Sequence, residues 1–180
     1  AMQRLISKIK VGIGTQPDLI TTYQYNAASQ IISETVTGAE LSESSSKEYN
    51  LAGLLTKQTD KTGLFTTFSY LNAVNTGSNR RGLMITTTLP GGFTQIYTAY
   101  CDRQQESLTG TAQVPMYYRY GVNADGSFWR CELTGGGDSP RRTVITSNMN
   151  KTVASIIRSG FGGDVVENFT HNTYNQVSKI

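Results

Sequence analysis

Charge is scarce in this chain. Of its 180 residues only 16% are Asp, Glu, Lys or Arg, where a globular domain carries about a quarter. The net charge of +3 is weak for a nucleic-acid binder, which needs a concentrated basic face, so no nucleic-acid partner is expected. No apolar run approaches the roughly 18 residues of a spanning helix, so no membrane span is expected. The opening Ala1-Met2-Gln3-Arg4-Leu5 has no signal-peptide plan. Two cysteines, Cys101 and Cys131, are too few for a disulfide framework. They read as free, partly buried thiols, with a single staple as the alternative. The hydrophobic fraction of 37% is low for a compact globule and too high for a disordered tail.

Ser, Thr, Asn, Gln and 18 Gly take the place of the missing charge, and ten Tyr outnumber six Phe and one Trp. That mixture points to half-buried strands joined by tight turns and away from coiled coils or helical bundles. Helix signals are poor: the best stretch, Asp102–Ser107, reads as a long turn, and nothing beyond one short helical turn is expected.

The chain repeats itself. Asp18-Leu19-Ile20-Thr21-Thr22-Tyr23-Gln24-Tyr25 aligns with Gly63-Leu64-Phe65-Thr66-Thr67-Phe68-Ser69-Tyr70 and with Asp164-Val165-Val166-Glu167-Asn168-Phe169-Thr170-His171. A short polar turn and a second strand follow each. With the second aromatic as marker, the slots fall at Tyr25, Tyr49, Tyr70, Tyr100, Tyr120, Ser147 and His171, spaced 24, 21, 30, 20, 27 and 24 residues apart. The long gap reflects a turn that swells between Tyr70 and Gly82. Leu5-Ile6-Ser7-Lys8-Ile9 resembles Gln176-Val177-Ser178-Lys179-Ile180, so residues 1–180 read as a single array of about seven copies, a window cut from a longer one.

Within a copy the period is two. Leu19, Thr21, Tyr23 and Tyr25 share one face, and Ile20, Thr22 and Gln24 the other. Asn, Asp and Gly after the aromatic supply the turn, most clearly in Asn123-Ala124-Asp125-Gly126. Each copy is therefore a strand, a turn and a strand. A lone hairpin is marginal in water, so copies must stack edge to edge. The expected fold is all-β: tandem hairpin repeats in a curved, twisted antiparallel sheet.

This unit resembles the YD repeat of the Rhs (rearrangement hotspot) family, which includes bacterial Rhs effectors, the B and C components of insecticidal toxin complexes, and the animal teneurins. Tyr23-Gln24-Tyr25-Asn26 and Ser46-Lys47-Glu48-Tyr49-Asn50 carry the aromatic end of the family pattern, with Asn for its Asp. Gly53-Leu54-Leu55-Thr56 and Arg81-Gly82-Leu83-Met84-Ile85-Thr86 carry the exit strand, and Arg158-Ser159-Gly160-Phe161-Gly162-Gly163 resembles the linkers. The resemblance implies a strip of a β-shell that encloses a cargo, often a toxic domain, in a secreted or cell-surface protein of bacterial type. It also implies partners: the rest of that shell, its cargo, and carbohydrate. The family's self-cleaving segment has no counterpart here, so no protease activity is carried over.

Chemistry is thin. The lone His171 occupies an aromatic slot. Gly135-Gly136-Gly137-Asp138 and Gly160-Phe161-Gly162-Gly163-Asp164 lack the Lys-Ser/Thr and the helix of a phosphate loop. Arg80-Arg81 and Arg141-Arg142 read as solvated loop charge, with an anion or acidic glycan as the alternative. Trp129 reads as packed, with sugar stacking as the alternative. No cofactor, metal or catalytic residue is assigned. The structural repeat positions are Tyr23, Tyr25, Tyr49, Phe68, Tyr70, Tyr97, Tyr100, Tyr118, Tyr120, Phe169 and His171, stacking as cross-strand pairs. Truncating Tyr49 or Tyr70 to Ala is expected to cost about 3 kcal/mol or more. Trp129, Arg141 and Arg142 are the candidate ligand contacts. The expected function is a non-enzymatic scaffold, with a carbohydrate-binding or adhesion module as the alternative, and the sheet edges are expected to self-associate.

Overall fold

The computed structural model describes residues 4–74, 81–136, 141–160 and 162–179. Expectations that fall on Ala1, Met2, Gln3, Arg80, Gly137, Asp138, Phe161 and Ile180 lie outside them. The described residues contain strands and turns and no helix. Fourteen strands form one sheet in strict sequence order: β1 (Ser7–Lys10), β2 (Leu19–Tyr25), β3 (Ile31–Gly38), β4 (Leu41–Tyr49), β5 (Leu55–Thr59), β6 (Phe65–Val74), β7 (Arg81–Thr88), β8 (Thr94–Ala99), β9 (Gln105–Thr109), β10 (Met116–Val122), β11 (Phe128–Thr134), β12 (Arg141–Ser147), β13 (Val153–Gly160) and β14 (Gly163–Asn168). A separate two-stranded sheet follows, β15 (Thr170–His171) with β16 (Val177–Lys179). The chain divides into two compact units, residues 1–69 with 86–93, and residues 70–85 with 94–180.

In the first unit β2, β3 and β4 form an antiparallel meander. Tyr23 lies opposite Glu34, which lies opposite Ser45, and Thr22, Thr35 and Ser44 form the next row on the other face. Alternation decides exposure along β2 and β4: the Thr21, Tyr23 and Tyr25 positions are half-buried, as are Ser45, Lys47 and Tyr49, while their neighbours are exposed. No described residue of this unit is buried. Among the described residues of the second unit, those buried are Ala99 (4% exposed), Cys131 (7%), Ser107 (8%) and Ser127 (8%). Cys131 stands in a row with Arg119, Val144, Ile157 and Val166 across β10 to β14. With so little interior, strand pairing and cross-strand side-chain contacts hold the sheet.

One turn recurs. In it the first residue's N–H donates to the carbonyl four residues on, and the fourth residue's N–H donates back to the first carbonyl. It occurs at Asn26–Gln30, Asn50–Leu54, Asp60–Leu64, Leu89–Phe93, Tyr100–Gln104, Asn123–Ser127, Asn148–Thr152 and Asn172–Gln176, with bonds of 2.8–3.1 Å. The fourth residue is left-handed each time, with φ between 60° and 84°. This is a type I turn closed by a bulge. Glycine takes the left-handed position in four copies (Gly53, Gly63, Gly92, Gly126), and Ser29, Arg103, Lys151 and Asn175 take it in the others.

Three sequence expectations are corrected. Leu71–Val74 and Arg81–Gly82 are strand, so the segment between Tyr70 and Gly82 is not all turn. Asp102–Ser107 is not one long turn: the chain reverses within Tyr100–Gln104, and Gln105 opens β9. Arg141 and Arg142 are not in a loop; they start β12, opposite Thr134 and Leu133.

Candidate functional site

The polar side chains of the turns are engaged in closing them. Asn50 Oδ1 accepts the Ala52 and Leu54 N–H groups at 3.0 and 2.9 Å. Asp60 Oδ1 accepts Thr62 N–H, Thr62 Oγ1–H and Leu64 N–H at 2.8, 2.6 and 3.0 Å. Asp125 Oδ1 accepts the Ser127 N–H and hydroxyl at 2.9 and 2.6 Å. These donors favour the ionised form, so the Asp60 and Asp125 carboxyls titrate below the ordinary range, the Thr62 and Ser127 hydroxyls being the largest causes. Neighbouring turns also touch. Gln30 Nε2 donates to the Gly53 carbonyl at 2.8 Å, and Asn150 Nδ2 donates to Asn175 Oδ1 at 3.1 Å.

The marker aromatics differ in position. Tyr25, Tyr49, Ser147 and His171 stand just before a turn, Tyr100 opens one, and Tyr70 and Tyr120 sit inside β6 and β10. Tyrosine hydroxyls tie strands together: Tyr25 donates to the Leu5 carbonyl (2.6 Å), Tyr49 to Ile31 (3.1 Å) and Tyr100 to Tyr118 (3.3 Å). Arg4 lies 5.7 Å over the Tyr25 ring. Tyr100 and Tyr120 meet edge to face at 6.4 Å. Burial pushes the Tyr118 and Tyr120 phenols above their ordinary range, with Glu132 adding to the rise at Tyr118 and Arg130 opposing it at both. Tyr23 and Phe68 are half-buried in β2 and β6, and Tyr97 stands opposite Leu108. Phe169 donates its N–H to Ala154, and half-buried His171 faces Val177. Cys101 is an exposed turn thiol and Cys131 a buried one, and they are not bonded to each other.

The second unit carries a groove of about 820 Å³. Its apolar lining is Tyr100, Tyr120, Val122, Phe128, Trp129, Ile145 and Val153, and its polar lining includes Asp102, Gln104, Arg119 and Arg130. Arg130 is paired with Glu132 at 2.7 Å. Trp129 is half-buried and lies opposite Gly121 across the β10–β11 hairpin. A Cβ on Gly121 would stand 2.4 Å from Trp129 Cε2 and 2.5 Å from both Cζ2 and Nε1. The indole therefore rests on the bare backbone of its partner strand. Of the candidate ligand contacts Trp129 is in a strand that walls the groove, but its indole lies on the Gly121 face, opposite to Tyr120 and Phe128; Arg141 and Arg142 are exposed and do not line the groove. Sequence reasoning missed the Gly121–Trp129 pair, although the signal was present: the two residues stand two positions before Asn123 and two after Ser127, symmetric about that turn.

No group of three or more His, Cys, Asp or Glu side chains among the described residues is placed to hold a metal ion. No helix among them is long and apolar enough to cross a membrane. No protein-family model matches the chain, and no curated protein matches it.

Proposed function

We propose that the chain is a non-enzymatic β-sheet scaffold, a stretch of hairpin array similar to the Rhs/YD-repeat shells, which encloses or presents a cargo domain in a secreted or cell-surface protein. The observation that carries this reading is the recurring turn. Its Asn, Asp, Ser and Thr side chains, the groups most often recruited for binding or catalysis on loops, are committed to hydrogen bonds that shape the hairpins. Strict sequence-order pairing then lets each hairpin add to the one before it. Limited proteolysis of the full-length protein that contains this chain tests the reading. A covalently linked domain should resist cleavage in the wild type and become cleavable when Tyr25 and Tyr49 are both replaced by Ala. Equal cleavage in both proteins contradicts it.

One observation favours a second reading, a carbohydrate-binding surface: the groove sets Tyr100, Tyr120 and Phe128 beside Arg130. Aromatic faces stack on sugar rings while neighbouring polar groups fix their orientation. Trp129 is the single tryptophan and lies between Phe128 and Arg130 in β11, so its emission reports on the strand that carries those groove residues. A saturable change on titration with oligosaccharides supports this reading, and silence across a glycan array sinks it.

A further inference from the structure

Tyr120 and Phe128 project from the same face of the β10–β11 hairpin, because Tyr120 lies opposite Arg130 and Val122 opposite Phe128. Phe128 is 44% exposed, and Tyr100 meets Tyr120 edge to face at 6.4 Å. The three rings border one groove of about 820 Å³, in the upper part of the range for small-ligand pockets.

The charges around these rings decide which sugar the groove accepts. Arg119 lies opposite Cys131, on the other face of the hairpin. Arg130 shares the face of Tyr120, and its guanidinium is 2.7 Å from the carboxylate of Glu132 on the same face. Asp102 adds a second carboxylate to the lining. Its Oδ1 accepts the Gln104 N–H at 3.0 Å, and an ionised carboxylate takes about four such bonds. Arg130, Glu132 and Asp102 thus set one positive charge against two negative ones. An anionic sugar would add a third negative charge and would need a cation that Glu132 already neutralises. A neutral sugar hydroxyl both donates and accepts. It can take N–H groups of Arg130 and Gln104, give its proton to Asp102, and leave the ring face to stack on an aromatic side chain. On the carbohydrate reading of the groove, on which this inference rests, we infer that the ligand is a neutral oligosaccharide. Glu132 sets that selectivity against uronic, sialylated and sulfated sugars by holding Arg130.

The test is a glycan array that holds both classes, followed by isothermal titration calorimetry on the whole chain. The calorimetry probes are neutral cello-, manno- and chito-oligosaccharides, and acidic oligogalacturonides and sulfated oligosaccharides. A neutral probe should bind at least about tenfold more tightly than any acidic one, with little dependence on salt. Phe128→Ala should weaken that binding by at least about tenfold, with far-UV circular dichroism as the check on folding. Glu132→Gln frees Arg130 and should raise the affinity for acidic probes while changing that for the neutral probe little. If Glu132→Gln loses its sheet signal, Asp102→Asn replaces it and should narrow the same neutral-to-acidic ratio. An acidic probe that binds the wild type as tightly as the neutral ones, or more tightly, overturns the proposed selectivity and leaves the carbohydrate reading standing. An unchanged neutral-to-acidic ratio in the folded charge variant overturns the role given to Glu132. Silence of every neutral and acidic glycan with folded protein overturns both the selectivity and the carbohydrate reading.

Discussion

Gly121→Ala tests how the second unit holds its single tryptophan. An added Cβ would lie 2.4–2.5 Å from three indole atoms of Trp129, about 1 Å inside the contact distance between carbon atoms. The obstacle is an aromatic ring, not the end of a flexible chain. The indole must lift off β10, or β10 must shift within a ladder paired from Met116 to Val122. Overpacking of this kind costs about 1–3 kcal/mol. Trp129 is half-buried, so some of the strain can relax outward, and a loss of about 1–2 kcal/mol is expected. Urea unfolding gives the stability. Trp129 emission gives the geometry, and it should shift to the red as the ring enters solvent. Gly121→Ala in a Trp129→Ala background supplies the control. There the alanine meets no indole and should be neutral, or stabilising by up to about 1 kcal/mol, as alanine generally is over glycine inside a strand. A coupling below about 0.5 kcal/mol between the two sites, with unchanged emission, would refute the reasoning.

The remaining predictions concern the turns and the tyrosine rungs. Tyr49→Phe removes one hydroxyl bond to Ile31 and should cost about 0.5–1.5 kcal/mol in urea unfolding. Tyr49→Ala should cost about 2 kcal/mol, less than a fully buried aromatic, because the ring is only half-buried. Lys151 occupies the left-handed turn position at φ 67°, so Lys151→Gly should raise the melting temperature, with a gain of about 0.5–1 kcal/mol. Gly126→Ala, at φ 80° in the equivalent place, should lower it by a similar amount. The Asp60 and Asp125 carboxyls titrate lower in the fold than their ordinary value. Their contribution is therefore complete above the unfolded carboxylate value, about 3.9, and is lost as pH falls through the lower folded value. Protection of the Leu64 and Ser127 amides, measured by NMR hydrogen exchange against the intrinsic rate at each pH, should fall in that window and not above it.

The all-β class and the hairpin unit were legible because alternation and β-branched composition act locally. In β2 the half-buried positions are the ones that alternation selects. The Asn123-Ala124-Asp125-Gly126 turn was readable for the same reason: its bonds lie within five residues. Choosing the aromatic as the repeat marker hid a more constant feature, the left-handed fourth turn residue. Arg103 and Lys151 hold that place as Gly53 and Gly126 do, and no single-residue signal marks an arginine as left-handed. The Tyr49-to-Ile31 and Tyr100-to-Tyr118 bonds span 18 residues each. They depend on strand register, which a one-residue slip would reverse. The groove was invisible for a related reason: it draws on Tyr100, Tyr120, Phe128 and Ile145, residues brought together only by the order of β8 to β12.

The account's central claim is that a sheet with very little interior is held by hydrogen-bonded pairing between sequence neighbours. Residue-resolved hydrogen exchange tests it most directly, because exchange reads local opening amide by amide. The Tyr23 and Phe169 amides, which donate across to the Ile6 and Ala154 carbonyls, should be protected at least about tenfold over those of the exposed turn residues Leu51 and Met149. Equal protection at both sets of positions would mean that the ladders open as freely as the turns, and would contradict it.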